Sequence, residues 1–125
     1  MKKVPSIGEA EWQVMEVLWQ MGRANFTEIR IALKSFDWTQ TTIHTMLQRL
    51  QKKGLIDIEP DSSPYVYYPL VSKDACRKHE TKTFLQKVYN GSLKLLISNF
   101  INEADLTEDD IDELMKILKN RKKEG

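Results

Sequence analysis

The stretch WTQTTIHTMLQRLQKKGLIDIEPDSSPYVYYPL, Trp38 to Leu70, constrains the fold most, because its apolar period switches from helical to extended at a single glycine. Ile43, Met46, Leu47 and Leu50 recur at three- and four-residue steps, which places them on one buried helix face, and Thr39 stands where an N-cap is needed. The opposite face is polar or basic. Thr41, Thr45, Gln48 and Lys52 point outward there, flanked by Thr42, His44 and Arg49. No Asp or Glu occurs between Thr39 and Gly54, so an anionic polymer meets no repulsion along this helix.

Gly54 follows Lys52 and Lys53, which suits a helix C-terminus: glycine tolerates the left-handed backbone and lysine complements the helix dipole. Beyond it Leu55, Ile56 and Ile58, then Tyr65, Val66, Tyr67 and Tyr68, are strand formers on either side of the turn Glu59 to Pro64. Helix, strand, turn and strand in that order is the signature of a winged helix, in which a DNA-reading helix is followed by a small β-hairpin.

Upstream, Ser6 to Met21 reads as a first helix with a narrow polar stripe of Glu9, Gln13, Glu16 and Gln20. Ile7, Ala10, Val14, Leu18 and Met21 make one apolar face and Trp12, Met15 and Trp19 another, so this helix is expected to pack on two sides with its tryptophans in the core. Gly22 ends it. Asn25, with Glu28 three residues on, resembles a capping box opening a short second helix from Phe26 to Lys34, with Ile29, Ala32 and Leu33 turned inward. The loop Ser35 to Trp38 then leads into the polar-faced helix. The pair forms a helix-turn-helix, which offers the N-terminal end of its second helix to base edges.

Downstream, Ser72 can cap a helix carrying Ala75, Cys76, Phe84, Leu85 and Val88 up to the Asn90-Gly91 break, and the next helix carries Leu93, Leu96, Ile97, Phe100 and Ile101. Thr107 with Asp110 is a capping-box variant with Leu106 and Ile111 at the staple positions; it opens a last amphipathic helix of Ile111, Leu114, Met115 and Leu118. These helices are too few and too short to enclose a core, so their apolar stripes require a partner. A second copy is the simplest one, because two heads on one link read two half-sites and the second binding step becomes intramolecular. Folding back on the chain's own head is the alternative. The expected architecture is mainly α with a small β-hairpin wing: a winged helix-turn-helix DNA-binding domain, residues 1–71, then a helical dimerisation domain, residues 72–125.

With 125 residues, 41% of them hydrophobic and 30% charged, and a net charge of +1, any electrostatic footprint for nucleic acid must be local. No apolar run approaches the roughly 20 residues that cross a bilayer, and MKKVPSIGEAEW lacks an apolar signal core, which reads as cytoplasmic. Cys76 is the single cysteine and His44 and His79 are the two histidines, so one chain makes neither a disulfide nor a structural zinc site, and no cofactor is expected. Cys76 reads as a small apolar helix residue rather than a redox sensor. Without a recognisable nucleophile-base pair, phosphate loop or metal cluster, the chain does not read as an enzyme.

Four motifs, AEWQVMEVLW (Ala10 to Trp19), WTQTTIHTMLQRLQKKG (Trp38 to Gly54), TFLQKVYNGS (Thr83 to Ser92) and SNFINEADLTEDDIDELMKIL (Ser98 to Leu118), carry a further reading. In this order and spacing they make the chain resemble the BlaI and MecI family of bacterial penicillinase and methicillin-resistance repressors. The resemblance implies a homodimer on double-stranded palindromic operator DNA, with half-sites of the ACA/TGT kind, repressing a β-lactam-resistance operon and often its own gene. It also implies relief by proteolysis. A membrane β-lactam sensor with a zinc-protease domain leads to a cut in the dimerisation region at the bond corresponding to Asn99-Phe100.

The family motif places base contacts at Thr42 and at the position of His44, where relatives often carry an Arg whose fork grips guanine; a neutral His offers one donor and one acceptor. Gln40, Thr41 and Thr45 suit phosphate contacts and register, and Arg49, Lys52 and Lys53 suit backbone charge. The wing departs from a phosphate-gripping design, since Glu59 and Asp61 are acidic and no Lys or Arg lies between Asp57 and Leu70. A copper-responsive repressor shares the architecture, but the tail KNRKKEG lacks the cysteines that bind metal in that branch. A repressor of a non-antibiotic operon and a winged helix serving as a protein-interaction module are the remaining alternatives, and the acid-free helix face argues against the second.

Overall fold

The cap at Thr39 forms as its position predicts: in the structure, a computed structural model describing residues 5–103 and 105–124, its hydroxyl oxygen accepts the Thr42 N–H at 3.1 Å. The N-terminal MKKV, part of the segment read for a signal core, lies outside the described residues. In chain order the elements are α1 (Glu9–Met21), β1 (Ala24–Asn25), α2 (Phe26–Ala32), a 3-10 turn (Lys34–Phe36), α3 (Gln40–Lys52), β2 (Ile56–Ile58), β3 (Val66–Pro69), α4 (Lys73–Tyr89), α5 (Leu93–Glu103) and α6 (Glu108–Glu124). Helix α3 stops where glycine permits, Gly54 sitting at φ 78°.

Ile43, Met46, Leu47 and Leu50 of α3 are buried against Val14, Met15, Val17 and Leu18 of α1, with Ile29, Leu33, Leu55, Ile56, Tyr67 and Cys76 completing the core. Trp12 and Trp19 pack at its margin rather than inside it. They meet edge to face with centroids 5.2 Å apart, and the Trp19 indole N–H donates to the Val71 carbonyl at 2.9 Å.

Two helix boundaries need correction. Helix α1 starts at Glu9 instead of Ser6, because Gly8 is its N-cap and the Glu11 carboxylate accepts the Gly8 N–H at 2.8 Å; Ala10 and Met21, at the first and last turns, are exposed. Helix α2 ends at Ala32, which is itself exposed. Buried Leu33 leaves the α conformation there, and the Phe36 N–H bonds back to its carbonyl at 3.0 Å, tightening the chain into a 3-10 turn. The β2–β3 hairpin forms, and β1 adds a third strand to it in the order β1-β3-β2, with Ala24 opposite Tyr67 and Asn25 opposite Val66. Asn25 therefore closes a strand and caps α2 at once, which ties the wing to the helix-turn-helix.

The later caps at Ser72 and Thr107 follow the sequence, and Ser92 adds one that the sequence reading did not name. The Ala75 N–H donates to the Ser72 hydroxyl at 3.1 Å, the Leu95 N–H to that of Ser92 at 3.1 Å, and Thr107 and Asp110 bond reciprocally at 3.1 and 3.2 Å. The chain divides into two compact units, Met1–Thr81 and Lys82–Gly125, and no described residue of the second is buried. Among the described residues no helix is long and apolar enough to cross a membrane.

Cys76 is fully buried in the first unit, and burial, aided by the Glu80 charge, pushes its thiol above the ordinary value. A thiolate reagent is expected to label Cys76 in denatured protein and to leave the native protein unlabelled over the same interval. Rapid stoichiometric labelling of native protein contradicts this burial.

Candidate nucleic-acid interface

Helix α3 buries its apolar face and thereby fixes what it offers outward: Gln40, Thr41, Thr42, His44, Gln48, Arg49 and Lys52 are exposed and Thr45 is half-buried. The hydroxyls at its start are ordered. Thr39 donates to the Thr42 hydroxyl oxygen at 3.0 Å while accepting the Thr42 N–H, so Thr42 keeps its own proton for an outside acceptor. Thr45 donates to the Thr41 carbonyl at 2.9 Å, which leaves it an acceptor toward solvent. The His44 imidazole lies flat on the Phe26 ring, with centroids 3.9 Å apart and planes 4° from parallel.

Lys53, grouped in the sequence with the backbone-contacting cations, has an internal partner. Its ammonium donates to both Glu11 carboxylate oxygens, at 2.8 and 3.0 Å, and to the Ser6 carbonyl at 2.9 Å, binding the end of α3 to the start of α1. Glu11 is 7% exposed. Burial pushes its carboxyl upward, but the Lys53 hydrogen bond and charge, the Gly8 N–H and the Arg49 charge outweigh it and hold the group below its ordinary 4.5. Sequence periodicity did not single out Glu11, because nothing local pairs it with a lysine so far along the chain.

Between Gly8–Glu11 and the side chains of Thr41, Thr42, Thr45, Met46 and Arg49 runs an open groove of about 440 Å³. With Glu11 neutralised, Glu9 is the acid on its rim. At the wing, the Arg23 guanidinium pairs with the Glu59 carboxylate and lies 5.4 Å from the Tyr68 ring centroid. One of the three wing acids, Glu59, is thus compensated by a residue from the β1 side of the sheet, while Asp57 remains exposed and Asp61 remains exposed at φ 60°. Ser62 is engaged inside the turn, donating to the Glu59 carbonyl at 2.8 Å and accepting the Val66 N–H at 3.0 Å. Among the described residues no three His, Cys, Asp or Glu side chains are grouped to hold a metal ion.

A winged helix whose exposed helix face is polar, acid-free and hydroxyl-rich at its start suits a DNA duplex, and similarity to known proteins agrees. The family model described as Penicillinase repressor matches residues 7–120. This chain belongs to the penicillinase repressor family. It is 37% identical over 121 residues to the methicillin resistance regulatory protein MecI of Staphylococcus aureus (strain N315), covering 95% of this chain and 98% of that protein. It is 38% identical over 128 residues to the penicillinase repressor of Bacillus licheniformis, covering 99% and 100%. The solution structure of the DNA binding domain of the repressor BlaI is similar at a TM-score of 0.52 and 39% identity, over 58% of this chain and 90% of that one. The Bacillus licheniformis BlaI monomeric form in complex with the blaP half-operator is similar at 0.51 and 37%, over 59% and 92%. The penicillinase repressor family is one of DNA-binding transcriptional regulators, so this member is a winged-helix repressor and not an enzyme.

In the second unit, Phe84, Val88, Leu93, Ile97, Phe100, Ile101, Ile111, Leu114, Met115 and Leu118 are exposed, and Leu85 and Leu96 half-buried. Leu95 and Ile117 are exposed as well and widen the apolar surface beyond the residues named from the sequence. Phe100 is 65% exposed, and with Asn99, Tyr89 and Glu103 it lines a small hollow.

Proposed function

We propose that the chain is a dimeric repressor that binds palindromic operator DNA of a β-lactam-resistance operon, and its own gene, and is inactivated by cleavage at Asn99-Phe100 after β-lactam sensing. The observation that carries this reading is the exposed, acid-free face of α3, with hydroxyl and imidazole groups at its start and Arg49 and Lys52 further along. The relatives named for penicillinase and methicillin resistance, and the BlaI monomer bound to its half-operator, support the operon and the ligand.

In this reading Thr42 and His44 meet base edges, Gln40, Thr41 and Thr45 set register along the backbone, and Arg49 and Lys52 release counterions. Lys53 acts at one remove, by holding α3 against α1. A DNA-binding domain, residues 1–71, is joined to a dimerisation domain, residues 72–125, whose exposed apolar side chains are covered by a second copy. A cut after Asn99 severs α5 in the middle of its apolar stripe. A membrane β-lactam sensor with a zinc-protease domain leads to this cut, and the bond becomes accessible to protease through local opening of the helix.

The test compares Thr42→Ala and Lys52→Ala on a palindromic ACA/TGT duplex and on its scrambled counterpart. Thr42→Ala is expected to lower the preference for the palindrome by about tenfold, as loss of a base contact does. Lys52→Ala is expected to weaken both duplexes equally and to reduce the slope of log affinity against log salt by about one. Equal loss on both duplexes for Thr42→Ala reassigns that residue to the backbone.

A further inference from the structure

We propose that Phe26 is a specificity-determining positioning residue: its ring holds the His44 imidazole at a fixed orientation, so that the two side chains read a base as one unit. The inference rests on the assignment of α3 as the DNA-reading helix and names what sets the aim of one of its side chains.

The stack uses the face of the imidazole. With centroids 3.9 Å apart and planes 4° from parallel, the Phe26 ring covers one side of His44 and leaves the ring edge, which carries both nitrogens, free for a hydrogen-bond partner. An exposed histidine without such support samples several orientations about its two side-chain torsions, and binding must then restrict them. Phe26 is itself well anchored. It is the first residue of α2, directly after Asn25, whose side chain accepts the Glu28 N–H at 2.9 Å while the Glu28 carboxylate accepts the Asn25 N–H at 2.9 Å. Asn25 also pairs with Val66 in the sheet, and the Phe26 ring packs partly buried against the core. The aim of His44 is therefore set by α2 and the base of the wing rather than by α3 alone. Because histidine presents one donor and one acceptor instead of the five donors of arginine, its contribution depends on being held in plane with the base edge it meets.

The experiment uses the full chain. Phe26→Met keeps apolar volume against the core while removing the ring face, and Phe26→Tyr keeps the face. Binding is measured on the palindromic ACA/TGT duplex and on duplexes with each half-site base pair replaced in turn. Selective labelling of histidine reports the His44 ring protons by NMR without DNA. The expected result is that His44→Ala and Phe26→Met lose discrimination at the same base pair, by roughly three- to tenfold. The double variant should lose no more than His44→Ala, and Phe26→Tyr should keep the discrimination. In the unsubstituted protein the His44 ring protons should resonate upfield of their position in Phe26→Met, which reports the stack itself, while loss of discrimination confined to the His44 base pair is the readout that a merely structural role of Phe26 does not move.

Full discrimination in Phe26→Met, uniform weakening on every duplex, or ring protons that do not shift overturns the proposal. The ring-proton position in the unsubstituted protein tests the stack even if Phe26→Met fails to fold. Equal binding of the palindrome and its scrambled counterpart by the unsubstituted protein sinks the base-reading assignment of α3, and this proposal with it. Preference for the palindrome with an indifferent Phe26→Met sinks this proposal alone.

Discussion

Ending the chain at Asn99 is expected to leave a monomer that binds the palindromic duplex on the order of a hundred- to ten-thousand-fold more weakly than the full chain, because only linked heads gain an effectively intramolecular second contact. The truncation removes Phe100 and Ile101 from α5 and all of α6, including Ile111, Leu114, Met115 and Leu118, each of which stands exposed in the single chain. Apolar surface of that extent stabilises an assembly only when another surface covers it, at about 25 cal/mol per Å². The head keeps its fold, since among the described residues all buried ones lie between Ile7 and Cys76. Sedimentation velocity reads the oligomeric state, and fluorescence anisotropy the affinity. A truncated chain that remains dimeric at full affinity removes the physical basis for inactivation at Asn99-Phe100.

Lys53→Met is expected to destabilise the head by about 2 kcal/mol while leaving the salt dependence of DNA binding unchanged. Removing one partner of a buried ion pair leaves the other charge without compensation, which costs several kcal/mol in a fully enclosed site. The effect is smaller here because the Lys53 side chain is 32% exposed against 9% for that of Glu11. The pH dependence has a definite sign. The folded-state value of Glu11 lies below its ordinary 4.5, so between the two the unfolded chain binds more protons. The stability it contributes is complete above the ordinary value and is lost as pH falls through the lowered one. Glu16 acts in the same direction, held down chiefly by the hydrogen bond from Lys73 at 2.9 Å, helped by the Trp12 indole N–H at 3.1 Å. In Lys53→Met, burial is left as the leading influence on Glu11, so the gap in stability between variant and parent narrows in acid. Denaturant unfolding at neutral and acidic pH, with salt titrations of DNA binding, checks both parts. Unchanged stability with a shallower salt slope places Lys53 on a phosphate instead.

The elements that sequence made legible are those whose signals are local. Thr39, Ser72 and the Thr107-Asp110 pair each bond to a backbone group within three residues, and the α3 period of Ile43, Met46, Leu47 and Leu50 describes its buried face. The apolar pattern runs longer than helix α1, because Ile7 and Ala10 continue it across Gly8, where the cap intervenes. Strand β1, at two residues, is too short to show alternation, and only its pairing with β3 defines it. Within the interface, exposure of Gln40, Thr41, Thr42, His44, Arg49 and Lys52 follows from helical spacing. The pairs Glu11–Lys53, Arg23–Glu59 and Phe26–His44 each join residues far apart in the chain, and no pattern within one element reports them.

Whether a dimer of this chain reads a palindrome through α3 is decided by an anisotropy titration at one fixed, near-physiological salt concentration. The ligands are a palindromic ACA/TGT duplex and its scrambled counterpart, and the stoichiometry is read from the break point at high duplex concentration. A clear preference for the palindrome with two chains per duplex is expected. Equal binding to both duplexes, or one chain per duplex at saturation, contradicts it.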